Sequence, residues 1–123
     1  MQKIALILGS IMAFLAVAIG AFGAHGLQSL LVANERTDTF ETAVKYHMYH
    51  ALALLITGLL IPHYPTKLLS YSIWLFATGI LIFSGSLYAL SLTNIRVLGA
   101  ITPIGGLCFL VAWALLITAF VKS

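Results

Sequence analysis

Two histidines and two tyrosines fall within five residues, Tyr46-His47-Met48-Tyr49-His50, inside an otherwise apolar stretch. Imidazole is a common ligand of zinc, copper and haem iron, and a protonatable group inside a membrane is a candidate for proton or solute passage. Imidazole and phenol can also hydrogen-bond a quinone or a lipid headgroup. With Tyr46 at zero on a helical wheel, steps of about 100° place His50 at about 40° and His47 at about 100°. Ala53 and Thr57 fall on the same side, so one face reads Tyr46, His50, Ala53, Thr57, with His47 on its shoulder.

His25 closes the first apolar run shortly before the next begins, which predicts three histidines gathered at one level near one membrane face. His25, His50 and His47 are therefore candidate metal ligands, though no clear fourth ligand accompanies them. Ser84, Ser86 and Tyr88, from Phe83-Ser84-Gly85-Ser86-Leu87-Tyr88, extend the set to a polar cluster of His25, Tyr46, His50, Ser84, Ser86 and Tyr88. The competing reading is structural: such groups hydrogen-bond a backbone carbonyl or a neighbouring helix. His63 lies in a turn between Pro62 and Tyr64 and reads as exposed. No nucleophile and base pairing, phosphate loop or paired carboxylates occur, so no catalytic residue is assigned and the identity of any cofactor stays open.

The elements that must hold these residues are membrane helices. Of the 123 residues, 62% are hydrophobic and 7% charged, against roughly 45–50% and about 25% in soluble domains. About 20 apolar residues cross a hydrocarbon core of about 30 Å. Four spans meet or approach that length: 4–23, 43–61, 68–90 and 97–121. The fold class is an all-α membrane protein, a single four-transmembrane-helix bundle over residues 1–123. Short connections at Pro62 to Lys67 and Ser91 to Arg96 make the later spans antiparallel neighbours. The first span also resembles a signal peptide, with small residues Ala21, Gly23 and Ala24, but its apolar run exceeds the usual core of about 7–15 residues, so it reads as retained.

Ala5, Gly9, Ala13, Ala16, Gly20 and Ala24 form a stripe of small side chains on the first span, suited to close packing within the bundle. In the connection that follows, Leu27, Leu30, Leu31 and Asn34 suggest a short amphipathic surface segment before a polar turn at Asn34 to Asp38. Thr39 or Asp38 is expected to cap the second span, and Glu41 should pair with Lys45 one turn on. Pro103, in Thr102-Pro103-Ile104-Gly105-Gly106, should kink the fourth span and free the carbonyl of Gly99 for a hydroxyl of Ser84, Ser86 or Tyr88. Trp74 reads as an interfacial anchor, and Trp113 as a packing residue.

The net charge of +3 comes from six scattered basic residues, which disfavours nucleic acid as a partner. The partner is the lipid bilayer, with a larger membrane complex or self-association as further partners. Lys3, Lys67 and Lys122 share one side with both termini, against Arg36, Arg96 and Lys45, which leans the termini to the cytoplasm of a bacterial inner membrane. Cys108 stands alone, so no intramolecular disulfide forms.

The chain resembles the YgdD/YwdK-type family of small integral membrane proteins, a domain-of-unknown-function family (423, transmembrane-protein-256-like) with relatives in bacteria and eukaryotes. The resemblance covers nearly the whole chain. It rests on Gly20-Ala21-Phe22-Gly23-Ala24-His25-Gly26-Leu27, on Tyr46 with Tyr49-His50-Ala51-Leu52-Ala53, on Phe83 to Tyr88 and on Ile101 to Gly106. It implies a four-helix membrane domain without an assigned activity. Two departures stand out: the family often carries glutamine where this chain has His47, and Thr-Gly where it has Thr93-Asn94. The function read from all this is a non-enzymatic accessory or scaffold protein. The alternatives are a protein binding a metal, haem, quinone or lipid headgroup through His25 and His50, and a small channel or transporter.

Overall fold

Hydrocarbon offers no partner for a peptide group, so a spanning segment must satisfy its backbone internally. A computed structural model describes residues 1–123. Of its 101 backbone hydrogen bonds, 86 lie within helices, which leaves few for connections. The helices are α1 (Gln2–His25), α2 (Gln28–Ala33), α3 (Thr37–Leu60), α4 (Leu68–Gly79), α5 (Gly85–Thr93) and α6 (Thr102–Lys122). A π-helical turn, Ile80–Ser84, joins α4 to α5, and 3-10 turns at Ile61–His63 and Arg96–Ala100 extend α3 and precede α6. Four helical stretches are long and apolar enough to cross a membrane: Gln2–His25, Thr37–His63, Leu68–Thr93 and Arg96–Lys122.

The second span starts at Thr37, well before the expected Ala43. Its first turns are polar, because a helix does not stop where hydrocarbon stops. Arg36 occupies the N-cap without a side-chain capping bond, so neither Thr39 nor Asp38 caps the helix; Asp38 instead lies in the first turn, against the positive end of the helix dipole. Glu41 and Lys45 line one cleft but form no hydrogen bond with each other, so the expected pair does not close.

α1 packs on α3 through small residues: Ala5, Gly9, Ala16 and Gly23 are buried, whereas Ala24 is exposed. The stripe thus ends one residue earlier than its spacing predicts. At Gly9 the approach is close enough that a Cβ would sit 2.8 Å from Leu55 and 3.1 Å from the Ala51 carbonyl. The main core lies on the other side of α3, where Leu54, Leu69, Ile73, Phe76, Phe109 and Leu116 meet between α3, α4 and α6. Large apolar side chains such as Phe14, Val17, Leu81, Leu110 and Val121 face outward as a lipid-facing belt.

α2 follows the amphipathic pattern, with Leu31 buried. After it, Asn34 Nδ2 donates to the Ser91 carbonyl at 3.0 Å and Arg36 Nε to Asn94 Oδ1 at 3.0 Å. These bonds staple the first connection to the third. Two residues in the left-handed region, Glu35 (φ 56°) and Asn94 (φ 57°), turn the chain there.

Pro103 does not kink the fourth span. It stands in the first turn of α6, where a missing N–H breaks no intrahelical bond. The departure from α geometry falls instead in the third span, at the π turn. There Gly105 of α6 crosses so tightly that a Cβ would meet backbone atoms of Phe83 at 2.4 and 2.7 Å. Gly85 has nothing within 4 Å of such an atom. Gly105→Ala should therefore destabilise the bundle by about 1–3 kcal/mol. Gly85→Ala should be neutral or stabilising by up to about 1 kcal/mol. Reversible unfolding in bicelles measures both, and equal effects would contradict the crossing described here.

Candidate functional site

His50 sits mid-helix, about 20 Å along α3 from Thr37 and about 15 Å from Leu60. It is only 5% exposed, and its ring lies flat on Phe109 of α6 with centroids 3.6 Å apart and planes 6° from parallel. Nδ1 is 2.7 Å from the Tyr46 carbonyl, and Trp113 Nε1 donates to Nε2 at 3.1 Å. A carbonyl only accepts and an indole N–H only donates. His50 is therefore the neutral Nδ1–H tautomer, and neither nitrogen keeps a free lone pair for a metal.

Tyr46 stacks above this pair, 6.1 Å from His50 and 4.8 Å from Phe83 by ring centroids. Its hydroxyl takes no part in the joint; its backbone carbonyl does. Trp113 is the partner that sequence reading passed over. Its depth in the span reads as packing, yet an indole inside the membrane needs an acceptor for its N–H.

His47 points the other way, between α1, α3 and α5. It is 3% exposed, with Nδ1 at 2.8 Å from the Tyr88 hydroxyl. Its Nε2 is buried without a hydrogen-bond partner, facing the Met12 backbone of α1. His47 and His50 thus serve opposite faces of α3 and share no ligand.

The serines of the third span are also engaged across helices. Ser84 Oγ donates to the Ala43 carbonyl of α3 at 2.8 Å. Ser86 Oγ donates to the Phe83 carbonyl at 2.9 Å and lies 2.5 Å from Thr102 Oγ1 of α6, which then donates to it. Tyr88 meets Phe40 at a tilt of 55°, with ring centroids 5.4 Å apart. The expected hydroxyl donation to a carbonyl freed by Pro103 is replaced by this side-chain pair, because the proline frees no interior carbonyl. Ser72 Oγ adds a bond to the Ala112 carbonyl at 3.0 Å, joining α4 to α6.

His25 does not join the cluster. It is exposed at the end of α1, at the level where α3 begins, whereas His47 and His50 lie roughly 15 and 20 Å further along α3. The gathering of three histidines at one level fails because the second span begins earlier than its apolar core. No group of three His, Cys, Asp or Glu side chains is placed to hold a metal ion. A lateral groove of about 640 Å³ between α3 and α6, lined by Tyr46, Tyr49, Phe83, Pro103 and Leu110, opens sideways, where acyl chains would meet it.

Four apolar spans with their polar groups turned inward define an integral membrane protein. Residues 19–106 match the family described as a protein of unknown function, DUF423. The chain is 46% identical over 126 residues to UPF0382 membrane protein YwdK of Bacillus subtilis (strain 168), with 98% of each chain covered. It is 47% identical over 121 residues to UPF0382 membrane protein SERP0230 of Staphylococcus epidermidis, again with 98% of each covered. UPF0382 membrane protein SAUSA300_0565 of Staphylococcus aureus (strain USA300) is 49% identical over 121 residues, with the same coverage. The chain belongs to the DUF423 family of membrane proteins. No solved structure matches it significantly.

The hydrogen-bond pattern predicts an Nδ1–H signal for His50 in nitrogen-15 NMR. Trp113→Phe, which leaves Nε2 unpaired, should cost about 1 kcal/mol of bundle stability; an unchanged stability and spectrum would disprove the bond. At His47, replacement by Gln keeps a partner for Tyr88 and should change stability by less than about 1 kcal/mol. His47→Leu orphans that hydroxyl and should cost about 1–3 kcal/mol. Equal effects of the two replacements in thermal unfolding would show that the Tyr88 bond contributes nothing.

Proposed function

We propose that this protein is a non-enzymatic accessory or scaffold component of a larger complex in the bacterial cell membrane. The observation that carries the reading is the use of its interior polar groups. His50, Ser72, Ser84, Ser86 and Thr102 each bond to a group on another helix, and the one buried side-chain nitrogen without a partner, His47 Nε2, belongs to a ring whose other nitrogen holds Tyr88. Such a histidine and tyrosine cluster is a set of joints, and a rigid four-span body with a broad apolar exterior suits assembly with other membrane helices.

Four spans put both termini on one side. The three lysines Lys3, Lys67 and Lys122 favour the cytoplasm, and Arg36 on the opposite side is already held by Asn94. Self-association is the simplest form of the same role.

Purified protein, examined by native mass spectrometry, metal analysis and absorption spectroscopy, should carry no stoichiometric metal, haem or quinone. In liposomes it should neither turn over nor move a solute. Cross-linking in the native membrane from Phe14 or Val17 should return one defined neighbour, another protein or a second copy. In a Cys108→Ser background, Ser123→Cys should react with an impermeant maleimide only after the membrane is opened. A cofactor lost on His50→Ala would sink the scaffold reading, and labelling of intact cells would reverse the orientation.

A further inference from the structure

Two opposite charges of α3, Glu41 and Lys45, border a cleft at the first connection. It measures about 460 Å³ and lies between the end of α1, α2 and the first turns of α3. Glu41 and Lys45 line it with Gln28 and Thr37, while Leu31 and Val44 give it an apolar wall. The place is the membrane interface, where the first apolar span has ended and the second has begun.

An acid four residues before a base on one helix ordinarily pairs with it. Here the two make no mutual hydrogen bond, and both border the cavity. Side chains on a helix lean toward its N-terminus, so Lys45 reaches back from within the span toward the level of Glu41. Asp38 stands in the first turn of α3, so the helix N-terminus already faces a carboxylate and the anion-binding group of the cleft is Lys45.

Together these groups call for a ligand with an anionic phosphate, an N–H-bearing cation a few bonds away, and an apolar tail. We propose that the cleft binds one phospholipid with an ethanolamine headgroup. Its phosphate meets Lys45, its ammonium meets Glu41, and an acyl chain follows Leu31 and Val44. A glycerol headgroup would leave Glu41 facing an anion without a counter-charge. A choline headgroup would offer Glu41 a cation with no N–H to donate. This goes beyond the scaffold role and stands or falls without it.

Delipidated full-length protein in detergent is titrated with phosphatidylethanolamine, phosphatidylcholine and phosphatidylglycerol of identical acyl chains, and binding is read by native mass spectrometry. The ethanolamine lipid should bind about tenfold tighter than either competitor, the worth of one charge-assisted contact. Glu41→Gln should bring it to the choline level, Lys45→Gln should weaken all three lipids, and Lys67→Gln at the opposite face should change none. Equal binding of the three lipids, a preference for the glycerol lipid, or a preference that survives Glu41→Gln overturns the proposal. Should a variant fail to fold, an ethanolamine lipid with a photoreactive acyl chain tests the unaltered protein. Labelling at Leu31 or Val44, displaced by the unlabelled ethanolamine lipid and not by the choline lipid, supports the site, and labelling elsewhere overturns it.

Discussion

Inside a bilayer a polar side chain has no water to fall back on, so each one needs a partner on its own helix or a neighbour. The His50 ring shows what this demands, with one nitrogen committed to α3 and the other to α6. The remaining joints follow the same rule: Ser84 ties the π turn to α3, Ser72 ties α4 to α6, and Ser86 with Thr102 ties α5 to α6. Each such bond contributes on average about 0.6 kcal/mol in a membrane protein, so their weight lies in fixing which faces meet. α1 stands apart, since apolar packing, through its small residues together with Leu8 and Met12, brings it against α3. The one interior polar atom turned toward it, His47 Nε2, stays unpaired.

Length and hydropathy made the four spans legible, because crossing hydrocarbon imposes a minimum apolar run. The amphipathic α2 and the close approach of α1 were readable for similar reasons, as periodicities with a physical cause. The start of α3 was not, since the polar residues Thr37 to Thr42 continue the helix beyond hydrocarbon and carry no hydropathy signal. That shift moved His47 and His50 away from His25. The π turn was also hidden: nothing in Ile80 to Ser84 distinguishes it from ordinary helix until Gly105 is seen against Phe83. The polarity of Tyr46 to His50 was visible, but its chemistry depended on Trp113, which lies 63 residues further on.

The two positions where the resemblance leads one to expect other residues acquire a physical meaning. Glutamine in place of His47 could still offer Tyr88 a partner, since the phenol uses a single hydrogen-bonding atom there. Asn94 stands at φ 57° in the helix-ending position where glycine is the usual residue. Asparagine is the next most tolerant residue there, and it returns something glycine cannot, a side-chain oxygen for Arg36.

The separation between His50 and Trp113 also has a temporal side. A chain is made from its N-terminus, so α1 and α3 can enter the bilayer as a hairpin while α6 is still unmade. During that interval the Nε2 atom of His50 faces lipid without its indole, and Ser72 and Ser86 await their own counterparts on α6. Arrival of the last helix closes the set. A nascent chain stopped before Trp113 therefore displays an open imidazole at mid-membrane.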